Sequence, residues 1–369
     1  MKELRIKDIC DKGSSNLKQR DVEGKNGLYP VYGASGIISH IDTYHQEANY
    51  IAIVKDGSGI GRVSFMPAKS SVIGTMQYIL PKDGFNINYI GYCLQSLDLS
   101  KYKQGAAIPH IYFRDYGERI VKVTEDRNEQ QSIVDYLDSA FAKIDAMKAN
   151  AEKALGEAKA LFQASLKEML EPKEGWEEKK LGDICSDIRY GTSTPSNENG
   201  EYKYLRMNNI TNDGFLDVSH YKTISLPEKE LEKCLVKRGD IIFNRTNSRE
   251  LVGKSCVFTE DENMVIAGYL IRIRLKEGFE PQFITYSMNL QRSLGLFQHL
   301  IVGAVHQANI SANNIQKVII NYPPLSEQQS IVATLDSLKS KVDKLQANYD
   351  KISQECDALK QAILRQVFE

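Results

Sequence analysis

The sequence predicts a mixed α/β protein in which two copies of one globular unit are each followed by a long helix. Three observations carry this prediction. The phrase EQQSIV at 129–134 returns at 327–332. After each copy, apolar residues alternate in steps of four and three, the a/d pattern of a coiled coil. The segments between the copies are short apolar runs punctuated by glycine, which is typical of strands and turns.

Composition bounds the class of protein. With 369 residues, 42% of them hydrophobic, the chain has room for two or three domains. The formal net charge is −1, so any basic surface must be local. The six cysteines form no CxxC, no paired His/Cys spacing suggests a metal, the start MKELRIKDIC lacks a signal-peptide core, and no apolar run reaches transmembrane length. We expect a cytoplasmic protein with free thiols, no metal and no membrane contact.

The repeat extends well beyond the shared phrase. At an offset of 198 residues, 127–150 matches 325–348 without a gap. Three further pairs of segments are similar: IKDIC (6–10) with LGDIC (181–185), IGRVSFM (60–66) with VGKSCVF (252–258), and QGAAIP (104–109) with VGAVHQ (302–307). We therefore predict a first domain at 1–126, a helix at 127–172, a second domain at 173–325 and a helix at 326–369.

Each helix carries a predicted apolar seam. In the first helix it consists of Ile133, Leu137, Ala140, Ile144, Met147, Ala151, Ala154, Ala158 and Leu161. In the second it consists of Ile331, Leu335, Leu338, Val342, Leu345, Tyr349, Ile352, Cys356, Leu359 and Ile363. Asn128 with Gln131, and Ser326 with Gln329, resemble capping boxes at the two starts. Pro172 ends the first helix.

A long helix in water needs a partner for its seam. The simplest partner is the other helix, packed antiparallel, which gives an approximately two-fold symmetric dumbbell made by one chain. The alternative is that each helix pairs with another chain. In the globular units, 49–66 and 238–258 read as strand, glycine-rich turn and strand, and 88–97 and 283–294 as short amphipathic helices.

Motifs that would indicate catalysis fail on inspection. SRELVGKS at 248–255 nearly spells a phosphate-binding loop, but Ser248 stands where its first glycine belongs. GSGIG at 57–61 lacks the dinucleotide spacing, and its glycines suit turns. His110 and His306 follow the Gly-Ala landmark at positions shifted by two, and we interpret them as polar loop residues rather than an acid/base pair. We expect no catalytic residue.

Loops rich in Arg, Asn, Gln and Ser recur in both units. Such side chains form bidentate bonds to base edges in the DNA major groove, and lysines hold phosphates. Any single loop of this kind is more often an ordinary polar turn, so the recurrence carries the weight. The residues that we select are Arg206, Asn208, Arg245, Asn247 and Gln307 in the second unit and Tyr32, Ser35, Lys55, Arg62 and Gln77 in the first.

Several of these segments resemble a known family. PPLSEQQSIVATLD (323–336) and NEQQSIVDYLD (128–138), each opening a long helix, resemble the conserved regions of the type I restriction–modification specificity (S) subunit. GDIIFNRTNS (239–248), YLRMNNI (204–210) and GAVHQANIS (303–311) resemble its target-recognition domains. The resemblance covers essentially the whole chain.

The resemblance implies a subunit without catalytic activity or cofactor of its own. Each domain is expected to read one half of a bipartite target in double-stranded DNA, while the antiparallel helices set the unread gap. Two modification (methyltransferase) subunits are expected to bring S-adenosylmethionine, and restriction subunits to bring Mg²⁺ and ATP. The helix sequence would then occur twice in the chain so that one chain can bind two identical partners.

Four glutamines at the helix starts are candidates for that docking. Gln130, Gln131, Gln328 and Gln329 lie off the predicted seam, so we expect them to be exposed and to face partner subunits. The first copy reads TEDRNEQQ where the second reads YPPLSEQQ, and the missing prolines put the rigidity of the first joint in doubt. Two alternatives remain: a coiled-coil scaffold with two protein-binding heads, and a single-chain restriction enzyme.

Overall fold

A computed structural model describes residues 1–105, 109–304 and 307–369. The chain divides into two compact units. Unit 1 holds 1–154 together with 347–369, and unit 2 holds 155–346.

The elements of the first half follow the chain in this order. The strands are β1 (Lys2–Arg5), β2 (Cys10–Ser14), β3 (Tyr29–Gly33), β4 (Gly36–Ile41), β5 (Tyr50–Val54), β6 (Val63–Met66), β7 (Ser71–Val72), β8 (Met76–Pro81) and β9 (Ile120–Val123). The helices are α1 (Ile6–Ile9), α2 (Gln19–Val22), α3 (Ile87–Ser96), α4 (Phe113–Tyr116) and α5 (Arg127–Met169).

The elements of the second half repeat that order with additions. The strands are β10 (Glu177–Lys180), β11 (Cys185–Tyr190), β12 (Tyr202–Leu205), β13 (Lys222–Ile224), β14 (Leu235–Val236), β15 (Ile241–Asn244), β16 (Thr246–Asn247), β17 (Ser255–Val257), β18 (Met264–Ile266), β19 (Leu270–Leu275), β20 (Val302–Ala304), β21 (Gln307–Asn309) and β22 (Ile319–Tyr322). The helices are α6 (Leu181–Ile184), α7 (Glu228–Cys234), α8 (Pro281–Ser293), α9 (Ala312–Ile315) and α10 (Leu325–Phe368).

Unit 1 is built on an antiparallel sheet of strand order β2-β8-β5-β6. Its central strand β5, YIAIV, is buried on both faces, which explains its continuous apolar run. A second sheet, β4-β3-β7, covers one face and contains a parallel pair, β3 with β7. Helix α3 covers the other face, where the core also takes in Val134 and Leu137 of α5 and Leu364 and Phe368 of α10. The long helices are thus part of the core of the unit.

Unit 2 has the same plan. Its main sheet is β11-β19-β15-β17, its second sheet is β13-β12-β18-β14 with β12 parallel to β18, and α8 takes the place of α3. A further small sheet, β16-β21-β20, extends the hairpin region. Two copies of an α/β unit, each followed by a long helix, confirm the predicted fold class, and both predicted strand–turn–strand pairs are present.

The long helices run antiparallel within each unit. In unit 1, Lys360 pairs with Asp145 at 2.6 Å and Asp357 with Lys148 at 3.5 Å. The residue numbers therefore fall along α10 as they rise along α5. In unit 2, eleven positions further along α5 and eleven positions back along α10, Lys159 donates from Nζ to Gln346 Oε1 at 2.7 Å, so the antiparallel register continues there. The predicted antiparallel pairing is therefore present in both units.

The predicted seam is right along one of its two rows and wrong along part of the other. In the first row, Leu137, Ile144, Leu335, Val342 and Cys356 are buried, and the remaining members are half-buried. In the second row, five members are exposed: Met147, Ala154 and Leu161 of α5 and Leu345 and Leu359 of α10. A strict heptad drifts away from a fixed face of a straight helix by about 20° per repeat, so part of a long seam turns outward.

Gln130 is buried, which corrects the prediction that it faces a partner. Its exposed fraction is 0%. Its Oε1 accepts from the backbone N–H of Asn86, the N-cap of α3, at 2.7 Å, and its Nε2 donates to the carbonyls of Thr124 and Gly84 at 2.9 and 3.2 Å. The first turn of α5 faces the domain here, where the amide satisfies three backbone groups.

Gln328 of unit 2 is buried in the same way, which corrects the same prediction for this residue. It is also 0% exposed. Its Oε1 accepts from the N–H of Glu280, the N-cap of α8, at 2.9 Å, and its Nε2 donates to the carbonyl of Pro323 at 2.8 Å. Gln131 and Gln329, in contrast, are exposed as predicted. The repeated glutamine therefore joins helix to domain and is not available to a partner.

Two other contacts fix the helix starts. Asp126, rather than Asn128, caps α5, since its Oδ1 accepts from the N–H of Asn128 at 2.8 Å. About two turns beyond the glutamine, the hydroxyl of Tyr92 in α3 donates to Asp138, and Tyr286 in α8 donates to Asp336 at 2.6 Å. Both joints thus use a buried glutamine and a tyrosine–aspartate bond.

Within the described residues, no helix combines the length and the apolar character needed to cross a membrane. All six cysteines are buried and unbridged there. In the same part of the chain, no three His, Cys, Asp or Glu side chains gather in a way that would hold a metal ion.

We expect Gln328→Ala to lower the free energy of unfolding of unit 2 by about 1–3 kcal/mol, because it leaves buried backbone groups without partners. Trp176, the one tryptophan of the sequence, packs on Phe283 of α8 in the same unit and reports its unfolding by fluorescence in urea. The matched control is Gln329→Ala at the neighbouring exposed position. Equal effects of the two substitutions would contradict the joint.

Candidate nucleic-acid interface

In unit 1, a hairpin of the main sheet meets a loop of the second sheet. The N–H of Val54 donates to the carbonyl of Arg62 at 3.0 Å, and that of Gly61 donates to the carbonyl of Val54 at 2.8 Å. Gly61 has a φ of +85°, which a residue with a side chain rarely adopts, so it closes the hairpin. The exposed Arg62 donates from Nη1 to the carbonyl of Ala34 at 2.9 Å. Hairpin 55–62 and loop 33–36 are thereby held together.

Unit 2 repeats this arrangement residue by residue. The N–H of Asn244 donates to the carbonyl of Lys254, and that of Gly253 to the carbonyl of Asn244, each at 2.8 Å. Gly253 has a φ of +87°. Lys254 then donates from Nζ to the carbonyl of Ile210 at 2.8 Å. Here the loop is 206–212, which follows β12 as 33–36 follows β3 in unit 1.

A third segment joins the hairpin of unit 2. The carbonyl of Arg245 accepts from Ile310, and its Nη2 donates to Asn309 Oδ1 at 3.1 Å. Its Nη1 donates to the carbonyl of Gly268 at 3.3 Å, and the guanidinium lies 4.7 Å from the ring centre of Tyr190. With two guanidinium hydrogen bonds inside the protein and a half-buried side chain, Arg245 arranges the loops more than it offers a free reading group.

In unit 1, Lys55 takes the place of Arg245. Lys55 pairs with Asp56, and Asp56 Oδ1 lies 2.7 Å from His110 Nδ1. The carbonyl of Lys55 accepts from Ile111 at 2.9 Å, as that of Arg245 accepts from Ile310 in the other unit. Lys55 is half-buried with its charge already paired, so it contributes little free positive charge to this surface.

The remaining predicted residues divide by exposure. Ser35, Asn208 and Gln307 are exposed, with Ser35 and Asn208 in the equivalent loops of their units. Tyr32, on β3 of the second sheet, is half-buried against the main sheet, and Asn247 is half-buried with its Oδ1 accepting from the N–H of Ser248. The loops thus bring exposed amide and hydroxyl groups to corresponding places in both units.

Gln77 and Arg206, both predicted to contact DNA, are buried and half-buried respectively. Gln77 is 4% exposed and donates to the hydroxyl of Tyr116, so it belongs to the core and not to a DNA-facing surface. It lies on β8, which is covered on both faces, and the residue type alone does not predict this burial. Arg206 is half-buried, and its Nε has no hydrogen-bond partner among the described residues.

Lys254 was missed in the sequence. It is 5% exposed, and burial together with the nearby Arg292 lowers its pKa. The signal was present, because the landmarks IGRVSFM and VGKSCVF align Lys254 with Arg62, which was selected. The structure also explains the near-miss to a phosphate-binding loop: Gly253 closes a hairpin, and Lys254 binds a carbonyl of its own chain. His306 lies outside the described residues.

Comparison with known proteins places these features in a family. The chain is 27% identical over 256 residues to the type I restriction enzyme EcoKI specificity subunit of Escherichia coli (strain K12), covering 65% of this chain and 55% of that protein. It is 26% identical over 173 residues to the putative type I restriction enzyme MjaX specificity subunit of Methanocaldococcus jannaschii, covering 46% and 40%. The chain thus matches about half the length of these relatives.

Solved structures share the fold over nearly the whole chain. A chain from a study of complex assembly and conformational transition of the type I R-M system superposes with a TM-score of 0.73 at 18% identity, covering 98% of this chain and 96% of that one. The HsdS subunit from Thermoanaerobacter tengcongensis superposes with a TM-score of 0.55 at 17% identity, covering 98% and 95%. At these identities the likeness establishes the fold.

The decisive match is to a family model. The model for the type I restriction modification DNA specificity domain matches residues 1–155 and again 173–354, once for each copy of the repeat. These two matches take in most of the chain, and the chain therefore belongs to the family of type I restriction–modification DNA specificity domains.

Proposed function

We propose that this chain is the DNA-specificity subunit of a type I restriction–modification complex and that it acts in the cytoplasm. Each unit reads one half of a bipartite target in double-stranded DNA. One observation carries the proposal: both units close a hairpin by the same backbone bonds, join it to a loop through a cation of the hairpin, and expose Ser35 and Asn208 at equivalent places. Hydroxyl and amide groups on paired loops suit the reading of base edges.

The chain is proposed to be non-catalytic. It holds no cofactor of its own in this proposal, and the chemistry comes from partners that carry S-adenosylmethionine, Mg²⁺ and ATP. The buried lysine and arginine groups of the loops bind carbonyls of the protein, which suits arranging a surface rather than transferring a group. Near-neutral net charge fits a subunit whose partners share the phosphate contacts.

The exposed apolar residues of the long helices suggest where partners dock. Met147 in unit 1 and Leu345 in unit 2 stand 198 positions apart, and so do Leu161 in unit 2 and Leu359 in unit 1. Their exposed fractions are 58%, 36%, 58% and 47% in that order. Each unit thus presents an equivalent pair of apolar side chains outside the buried seam. Two identical modification subunits are proposed to bind there, one to each pair.

The first test maps methylation in DNA from cells that express this chain with a modification subunit. The proposal expects a split motif, two short defined halves around a fixed gap. In Asn208→Ala we expect one half to become less selective at one position, by about tenfold, because an amide that contacts a base edge is removed. Asn348→Ala, on an exposed face of α10, is the matched control. A relaxation in both halves, or none, would count against Asn208 as a reading residue.

A second test concerns the gap. Each long helix enters both units, so we propose that helix length sets the unread spacing. Four residues inserted into both helices add about 6 Å at 1.5 Å per residue. The preferred gap is then expected to grow by about two base pairs at 3.4 Å each. Methylation mapping reads the new motif directly, and a gap of unchanged length would exclude the helices as the spacer.

A third test counts the docked partners. Leu161→Glu combined with Leu345→Glu places charges on the apolar pair of unit 2 and leaves that of unit 1 intact. We expect the complex to retain one modification subunit instead of two, because a charge in an apolar contact is costly to bury. Native mass spectrometry measures the stoichiometry. Gln163→Glu, at an exposed position of the same helix, is the control, and two retained subunits in the double variant would refute the docking site.

A further inference from the structure

Lys254 is a buried cation bound to a loop of its own domain. Its Nζ donates to the carbonyl of Ile210 at 2.8 Å and to Asn212 Oδ1 at 3.3 Å. These two acceptors lie in loop 206–212, two and four positions beyond the exposed Asn208. Within the described residues, Lys254 forms no ion pair with a carboxylate. The only groups that its ammonium engages there belong to this loop.

Such burial is unfavourable for folding alone. An ammonium group that leaves water without a carboxylate partner loses more hydration energy than carbonyl hydrogen bonds return. Across the hairpin, Asn244 is 0% exposed, and neither polar atom of its amide has a partner in the described part of the chain. An apolar pair would pack this site better, and Val54 occupies the position of Asn244 in unit 1. The buried Lys254 and Asn244 therefore indicate a role other than stabilising the fold.

Unit 1 makes the same connection with another cation. Arg62, which stands in the hairpin where Lys254 stands, donates from Nη1 to the carbonyl of Ala34 at 2.9 Å. Ala34 is next to the exposed Ser35. In both units, then, a hairpin cation holds a carbonyl of the loop that carries the candidate reading residue.

We propose that Lys254 and Arg62 are positioning residues that fix the loops 206–212 and 33–36 and so set the specificity of one half-site each. The inference rests on the proposed function. A loop tied at its carbonyl presents its neighbouring side chain in one place, and a misplaced amide or hydroxyl no longer matches the donor and acceptor pattern of one base pair.

Lys254 gives the cleaner test of the two. It is 5% exposed, so it has no surface for DNA, whereas the exposed Arg62 keeps donors that a phosphate could accept. A change in sequence preference on replacing Lys254 must therefore act through the loop. A lost phosphate contact, in contrast, weakens binding to all sequences alike.

The experiment is methylation mapping with the full chain in complex with its modification subunits. In Lys254→Met, we expect methylation at sites with one mismatch in one half to rise about tenfold relative to full sites, with the other half unchanged. Lys254→Arg, which restores the cation of unit 1, is expected to restore selectivity. Lys237→Met, at an exposed lysine of the same domain, is the control and is expected to change nothing. Arg62→Met is expected to relax only the other half.

Other outcomes overturn the inference. An unchanged motif in Lys254→Met, equal relaxation of both halves, or failure of Lys254→Arg to restore selectivity would each do so. If Lys254→Met fails to fold by circular dichroism, Asn212→Ala decides, since it removes one acceptor from an exposed position. A smaller relaxation of the same half supports the inference, and an unchanged motif overturns it. A complex of the unaltered chain that methylates no split motif rejects the proposed function and this inference with it.

Discussion

A buried glutamine holds each long helix to the domain that precedes it. Gln130 and Gln328 each accept from the first backbone N–H of a short domain helix and donate to the connector that enters the long helix. This bond fixes where the long helix starts and which face it turns inward. The prolines before Gln328 add stiffness to the second joint, but the first joint has the same bonds without them. The shared constraint is therefore the amide, which sets the start and the inward face of each long helix.

The sequence was sufficient for the architecture and only partly sufficient for the seam of the helices. The repeat, the glycine-punctuated strands and the two long helices follow from periodicity alone. The seam follows in part, because residues such as Leu155 and Leu161 are equally apolar and only their neighbours decide which is buried. One row of the predicted heptad is buried or half-buried, whereas the other row turns outward at several positions. The helices carry two apolar faces, and a one-dimensional pattern cannot assign them.

The sequence likewise predicted only some residues of the candidate site. Ser35 and Asn208 were selected from polar loops, and the structure places both at exposed, equivalent positions. Gln77 has similar chemistry but lies in a strand covered on both faces. Lys254 was overlooked because an isolated lysine in a hairpin resembles a solvated one. Polarity predicts what a side chain is able to bind. Burial decides whether it meets a ligand or its own protein, and burial depends on residues far away in sequence.

The hairpin has a consequence for how such a domain changes over generations. Its two ends are tied by the same pair of backbone bonds in both units, with a glycine closing each. Between those ties the tip spans 55–60 in one unit and 245–252 in the other. The two tips already differ in length while the bonds that tie their ends are the same, so the part of the tip away from the buried Val252 tolerates insertions and substitutions. Under the proposed function, new target preferences would arise in the tip while the scaffold that presents it stays unaltered.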